Sequence, residues 1–305
     1  MKRIKKVPLA ISGLALAIAA LGNLIAPHSE GAQLLCGLLS AFLIWLFILK
    51  CIFDFQQVKE DTKNPVVLSA LPTSTMALML LWVYALPYIG HGAVFLWYLA
   101  VAAHFLIMCL FIRRFIVGLK IQNVFPGCFV ASVGIVTVSV TSPDMGALQL
   151  GQAIFYVGFT LYFFVLPLIV YRLIKLGGPP EPARPTLAIF AAPMCLCIVG
   201  YLSVFPQPNR MLLYGMLTVA LIKYICVTVK MVSLIRLKFY PTFAAFTFPY
   251  VIGATAFKMG NDFLIANGYT FFSFVPVFSE ALAVLIVAYV FVRYAIFLLS
   301  AKTTP

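Results

Sequence analysis

Few side chains in this sequence could act directly on a ligand, and three of them stand inside long apolar segments. They are Lys223, Lys258 and Glu280. Because a charge surrounded by apolar groups is costly, such residues usually pair with one another or serve a function. Lys258 and Glu280 fall at similar depths in two neighbouring segments, which favours an ion pair between them. The alternative is that Lys258 faces water and attracts anions.

The other polar residues within apolar segments favour structural roles. Lys223 is expected to reach inward or toward another protomer, and His104 to form a hydrogen bond between helices rather than a proton relay. Asp262 is interpreted as a solvated residue at the rim. The 3 histidines are too dispersed for a metal cluster, and the sequence contains no phosphate loop or nucleophile elbow. We therefore expect no enzyme activity, no metal and no cofactor.

The composition places these residues in a membrane protein. Of the 305 residues, 64% are hydrophobic and 10% are charged, and the mean hydropathy is +1.08. Soluble domains carry about 25% charged residues. The expected fold class is therefore all-α and integral to a membrane, in contact with the lipid bilayer. The pattern predicts ten spans, each longer than the roughly 17 residues that cross a bilayer as a helix: 7–25, 32–53, 66–88, 90–112, 125–142, 147–171, 185–206, 211–235, 242–265 and 271–297.

The positions of the basic residues predict the topology. The 21 Lys and Arg residues outnumber the 8 Asp and Glu residues, and all except Arg210, Lys223 and Lys258 lie at the same ends of the predicted spans. Basic residues concentrate on the cytoplasmic side of membrane proteins. We therefore expect a multi-pass protein of the plasma (inner) membrane of a bacterium, with both termini cytoplasmic. The excess charge is a topology signal, so no nucleic acid partner is expected.

A proline-marked repeat divides the chain. Pro8, Pro65, Pro126, Pro185 and Pro241 each open a two-helix unit, at intervals of 56 to 61 residues. Since every unit starts on the same side, the five repeats are parallel and are expected to surround a central pore within a single transmembrane domain, 1–305. The predicted repeats cover 7–53, 65–112, 125–171, 185–235 and 241–297.

The first helix of each unit is predicted to belong to an inner ring, because it is richer in small residues than the second. Pro72, Pro193 and Pro249 lie inside three of these helices and predict kinks. When the repeats are aligned on their first prolines, Phe248 is the largest side chain at its depth, which favours a gate; the alternative is a ring that only fills space between helices. The other pore-lining and kink candidates are Ala15, Leu71, Pro72, Val133, Ala192, Pro193, Thr247 and Pro249.

The segment Phe246-Thr247-Phe248-Pro249, with the proline-opened repeats, resembles the tellurite-resistance/dicarboxylate transporter family. That family includes the bacterial TehA proteins, fungal malate and sulfite transporters, and plant guard-cell slow anion channels. The resemblance implies a homotrimer in which each protomer carries its own anion pore, and it implies that Phe248 is the gate. The resemblance does not lead us to expect the phosphorylation control that acts on the regulatory cytoplasmic tails of the plant channels.

These observations predict an anion channel or channel-like uniporter that passes small anions through a five-helix pore. The alternative is a proton-coupled secondary transporter or exporter of C4-dicarboxylates, sulfite or tellurite, for which Glu280 and His104 are the available proton carriers. A membrane scaffold is a third possibility, although it leaves the aligned kinks unexplained.

Overall fold

A computed structural model describes residues 2–269 and 273–300, and every regular element in them is helical. The predicted last span, 271–297, and the predicted domain, 1–305, both extend into residues that lie outside this description. The α-helices are α1 Lys2–Lys5, α2 Ile11–Ile25, α3 Glu30–Phe53, α4 Phe55–Asp61, α5 Pro65–Ala70, α6 Pro72–Ile89, α7 His91–Phe111, α8 Cys128–Ser132, α9 Thr137–Thr141, α10 Leu148–Leu176, α11 Ala192–Val204, α12 Arg210–Leu234, α13 Thr247–Ala266 and α14 Phe274–Leu299.

Within the residues that the structure describes, seven helical stretches are long and apolar enough to cross a membrane. They are Glu30–Phe53, Pro65–Ile89, His91–Ile116, Leu148–Leu176, Glu181–Val204, Arg210–Leu234 and Phe274–Leu299. The expectation that every span exceeds the length of a bilayer crossing is wrong for two segments, because Ile11–Ile25 and Cys128–Thr141 form shorter apolar helices. The 20-residue helix α13 is long enough, but Lys258, Asn261 and Asp262 lower its hydropathy.

Proline explains where several of these segments are broken. Pro72 is the first residue of α6, and the helix before it ends at Ala70. Pro193 and Pro249 lie in the first turns of α11 and α13, each of which follows a 3₁₀ stretch, Glu181–Ala191 or Pro241–Phe246. A proline lacks the N–H of an internal helical hydrogen bond and clashes with the preceding turn, so it is tolerated mainly where a helix begins.

Five segments pack against one another in a closed ring. α2 contacts α6, α6 contacts α9, α9 contacts α11, α11 contacts α13, and α13 contacts α2. Each also packs against the helix that follows it in the chain: α3, α7, α10, α12 and α14. In Pro65–Ile89 and Glu181–Val204, 56% and 78% of the most apolar 18 residues are buried, whereas the following helices have 28–33%. The described ring is therefore an inner layer, and the following helices form an outer layer.

Hydrogen bonds between helices join the outer layer to the inner layer and also join neighbouring helices of the inner layer. The Ser40 hydroxyl of α3 donates to the Ala15 carbonyl of α2 at 2.8 Å. The Tyr84 hydroxyl of α6 donates to the α2 carbonyl of Ala19, also at 2.8 Å. Such bonds, together with close helix approach, replace the hydrophobic effect as the source of specific helix packing in lipid.

Candidate functional site

The ring helices α2, α6, α11 and α13, together with the segment that precedes α9, line one cavity at the end of the ring where the repeat prolines lie. We call it the proline-end cavity; its volume is about 340 Å³. Its lining includes Gly13 and Leu16 from α2, Thr73 and Met76 from α6, Val133 and Gly134 between α8 and α9, Ala192, Pro193 and Leu196 from α11, and Phe248 and Pro249 from α13. Most of these residues are small or aliphatic, so the wall of the cavity is largely apolar.

Phe248 is the large aromatic side chain that α13 directs to this cavity. It is half-buried and lines the cavity, whereas Phe246, two residues earlier, is fully buried in the wall and packs against Phe243 with ring centroids 4.8 Å apart. Two residues along a helix turn a side chain by about 200°, which explains the opposite directions. Phe246 is therefore part of the wall, and Phe248 faces the cavity.

The other predicted lining residues divide into two groups. Val133, Ala192, Pro193 and Pro249 line the proline-end cavity, as Phe248 does. Ala15, Leu71, Pro72 and Thr247 are not among its lining residues. In α2 the carbonyl of Ala15 instead accepts the Ser40 hydrogen bond, and Gly13 and Leu16 take the cavity positions. Counting from the first prolines thus identifies a lining residue in three repeats, and in α2 and α6 it misses the lining residues by one or two positions.

Each hydroxyl group in the lining of the proline-end cavity already donates its proton to another oxygen atom of the protein. The hydroxyl groups of Ser69, Thr186 and Thr242 donate to backbone carbonyls at distances between 2.5 and 3.0 Å. Thr73 Oγ1 lies 2.8 Å from the Ala70 carbonyl oxygen and 2.7 Å from the Ser12 hydroxyl, and its proton points to one of them. A serine or threonine hydroxyl carries one proton, so these oxygens present mainly lone pairs to the cavity. Asp61 is the charged residue in the lining. Within the described residues, an anion in this cavity would meet weak binding groups.

A second cavity of about 380 Å³ lies at the opposite end of the ring, where the helices turn. We call it the turn-end cavity. It is lined by all five ring helices, and it is more polar, with Asn23, Thr141, Asp144, Ser203, Thr255, Lys258 and Asp262 in its lining. Burial raises the pKa of the Asp144 carboxyl, which lies in the turn before α10. Lys258 is the basic residue among the described lining residues.

Lys258 is held by a carboxylate that is not part of the cavity lining. Lys258 Nζ lies 3.3 Å from Glu280 Oε2 and 3.5 Å from the Leu24 carbonyl oxygen. The other oxygen, Glu280 Oε1, lies 2.7 Å from Nε2 of His28. The ion pair that the sequence favoured is present, and it is extended by a histidine that the sequence analysis did not connect to it.

Among the described residues, none lines both cavities. In α13, Ile252 is one turn beyond Phe248 and one turn before Thr255, and it is 4% exposed. In α2, Ala20 occupies the same place between Leu16 and Leu24. At the level between the two cavities, α13 and α2 therefore each carry a buried apolar residue.

Lys223 and His104 line neither cavity. Lys223 Nζ lies 4.6 Å from the ring centroid of Tyr162 and is buried without a hydrogen-bond partner. His104 is fully buried, and its Nδ1 lies 2.8 Å from Thr75 Oγ1. The Thr75 hydroxyl also donates to the Pro72 carbonyl, so it must accept from Nδ1–H of His104. Lys223 reaches inward, and His104 forms the expected bond between helices.

Sequence reasoning missed His28, Thr73 and Asp61 as residues of the two cavity regions. His28 meets Glu280 across 252 residues of chain, and no local pattern signals a contact of that range. Thr73 directly follows the predicted Pro72, so a helical wheel drawn from the kink would have found it.

Comparison with known families accounts for almost the whole chain. The family model SLAC1, described as a voltage-dependent anion channel, matches residues 6–295. A comparison with curated protein sequences found no match. The family match confirms the resemblance that the proline repeats and the Phe246–Pro249 segment indicated. The chain belongs to the voltage-dependent anion channel family, SLAC1.

Proposed function

We propose that this protein passes small anions down their electrochemical gradient through its five-helix ring, with Phe248 as the gate. Membership of the voltage-dependent anion channel family supports a role in anion transport rather than in enzyme catalysis. The observation that carries the gate is the position of Phe248, a large half-buried side chain in the largely apolar wall of the proline-end cavity.

The apolar residues beyond Phe248 explain how the pathway is closed to ions in this proposal. A narrow apolar constriction excludes water and hence blocks ions. The aromatic ring and Ile252 form two successive apolar positions on one face of α13, a turn apart. We propose that movement of the Phe248 ring widens and wets this constriction.

The proposed topology has ten spans arranged as five parallel two-helix repeats. The closed ring of α2, α6, α9, α11 and α13, each backed by the following helix, supports this arrangement. The distribution of basic residues supports cytoplasmic termini in the plasma membrane of a bacterium. The homotrimer is proposed from the family resemblance.

Proton-coupled transport has less support from the geometry. Such a transporter needs a titratable group that the substrate pathway can reach. His104 is fully buried outside both cavities, and Glu280 is paired with Lys258 and His28. C4-dicarboxylates, sulfite and tellurite are therefore kept as test substrates, and the described lining residues of the two cavities include no specific binding group for them.

The deciding experiment compares anion currents of the wild type and Phe248→Ala in planar bilayers. The wild type should conduct little, and the variant should carry a large anion-selective current. Phe163→Ala is the matched control, because Phe163 is 55% exposed on the outer helix α10 and lines neither cavity. It should behave as the wild type does.

Two results would contradict the proposal. If Phe248→Ala conducts no better than Phe163→Ala, Phe248 is not the gate. If no variant conducts, while uptake of a dicarboxylate into proteoliposomes requires a pH gradient, the protein is a coupled transporter.

A further inference from the structure

We infer that Glu280 and His28 are positioning residues for Lys258, and that they set the charge that anions meet in the turn-end cavity. This inference rests on the proposed function, since it concerns the passage of the same anions. It adds to that function a group that attracts anions at the opposite end of the ring from Phe248. The strength of this attraction depends on the pH on that side of the membrane.

The geometry places the three groups in one chain of contacts. Lys258 lines the cavity, and its side chain is 27% exposed. Glu280 lies outside the lining with an exposure of 18%, and its two oxygens face different partners, Lys258 Nζ at 3.3 Å and His28 Nε2 at 2.7 Å. His28 is 65% exposed, so protons from solution reach it directly. The carboxylate thus bridges a solvent-exposed imidazole and the cavity ammonium.

The charge of the trio depends on the state of His28. When the imidazole is neutral, the Glu280 carboxylate compensates the Lys258 ammonium and the trio carries no net charge. When it is protonated, one carboxylate faces two cations and the trio carries one positive charge. Imidazole side chains change charge between pH 5 and 8. Acidification at the turn end therefore leaves Lys258 less compensated and more attractive to anions.

The other charged groups on the surrounding elements act in the same direction. Asp262 follows Lys258 by one turn of α13, and Asp144 lines the cavity from the turn before α10. Glu30 lies in the first turn of α3, next to the turn that carries His28. Each carboxylate loses its negative charge on protonation, so none of them opposes the increase in positive potential. Because these carboxylates would change the potential in the same direction, variants of His28 and Glu280 are needed to assign the effect of pH on the anion current to His28.

The test measures anion current through the Phe248→Ala variant, with the turn-end solution at about pH 8 and then at about pH 5.5. Current should rise on acidification, by a factor on the order of ten at low ionic strength, because a charge that lines a cavity concentrates counter-ions. The rise should shrink in high salt, which screens the exposed part of the trio.

Three further variants in this background identify the residues. His28→Gln should abolish most of the pH response. Glu280→Gln should give a high current already at about pH 8, since Lys258 is then uncompensated. Lys258→Gln should lower the current at both pH values. His91→Gln is the matched control, because His91 is an exposed histidine at a helix start that lines neither cavity. It should keep the full response.

A second measurement separates failure of this inference from failure of the proposed function. Protein in detergent is heated with nitrate, or with gluconate at the same ionic strength, at both pH values. Nitrate should raise the unfolding temperature more at low pH, and Lys258→Gln should remove the difference. If Phe248→Ala conducts but His28→Gln and Glu280→Gln respond to pH as it does, the inference is wrong. If nothing conducts and nitrate has no stabilising effect, both are wrong.

Discussion

Ile252 lies one helical turn beyond Phe248 on α13 and is 4% exposed, so the proposed gate is followed at once by a second apolar position. The first residue of α13 that lines the turn-end cavity, Thr255, comes one further turn along. A passing ion would therefore leave the proline-end cavity at Phe248 and cross the level of Ile252 before it reaches the more polar cavity.

This relationship predicts that removal of the Phe248 ring opens the path only in part. In the Phe248→Ala background, Ile252→Ala should increase the single-channel conductance, and Ile252→Ser should increase it further because a hydroxyl group favours water in a narrow constriction. Single-channel recording in planar bilayers measures both. Conductance that is the same in all three forms would show that the narrowest point lies elsewhere.

The proline-end cavity predicts a selectivity order. Its hydroxyl groups donate to other oxygen atoms of the protein, and no described lysine or arginine lines it, so a permeating anion receives little compensation for lost hydration. Weakly hydrated anions lose the least. Nitrate should permeate better than chloride through Phe248→Ala, as measured by the shift in reversal potential when one anion replaces the other on one side. Chloride ahead of nitrate would indicate a strong binding site in the pore.

Sequence reasoning found the features that repeat and missed the contacts that do not. The hydropathy predicted an all-helical membrane protein, and seven of the described helical stretches are long and apolar enough to cross a bilayer. Phe248 stood out because its counterparts at the same depth are smaller. The short α2 could not be foreseen, because Pro8 is followed by turns before the helix begins at Ile11. The contact of His28 with Glu280 was also hidden, since hydrophobic periodicity reports the face of a helix and not the partner of a loop residue.

The buried histidine provides a test against proton coupling. In the structure His104 donates through Nδ1 to Thr75, and its Nε2 is buried without a partner. An imidazole with one satisfied bond contributes little, so His104→Leu should change the free energy of unfolding by no more than about 1 kcal/mol.

Anion flux of His104→Leu should equal that of the wild type, with or without a pH gradient. Flux into proteoliposomes with imposed pH differences measures this. The control is Thr75→Val, which removes the hydrogen-bond partner and leaves the imidazole in place. Loss of gradient-dependent uptake in His104→Leu but not in Thr75→Val would identify a proton carrier and overturn the channel proposal.

Close packing around Val136 predicts where small residues are required. A Cβ atom at Gly158 would lie 2.2 Å from one methyl group of Val136, and a Cβ atom at Gly200 would lie 2.6 Å from the other. Val136 ends the 3₁₀ stretch between α8 and α9, and is thus wedged between α10 and α11. Overpacking of this kind costs typically about 1–3 kcal/mol, so Gly158→Ala should destabilise the protein by that amount.

A double-mutant cycle in detergent distinguishes this clash from a general effect of alanine. Val136→Ala removes the methyl groups, so it should restore much of the stability that Gly158→Ala loses, with a coupling energy of about 1 kcal/mol or more. Gly215→Ala in α12 is the matched control, because a Cβ atom there meets nothing within 4 Å. It should be neutral or stabilising by up to about 1 kcal/mol, the difference in helix propensity between the two residues. If Gly158→Ala and Gly215→Ala destabilise the protein equally, and Gly158→Ala shows no coupling to Val136→Ala, then α10 does not pack against the segment Cys128–Thr141 as described.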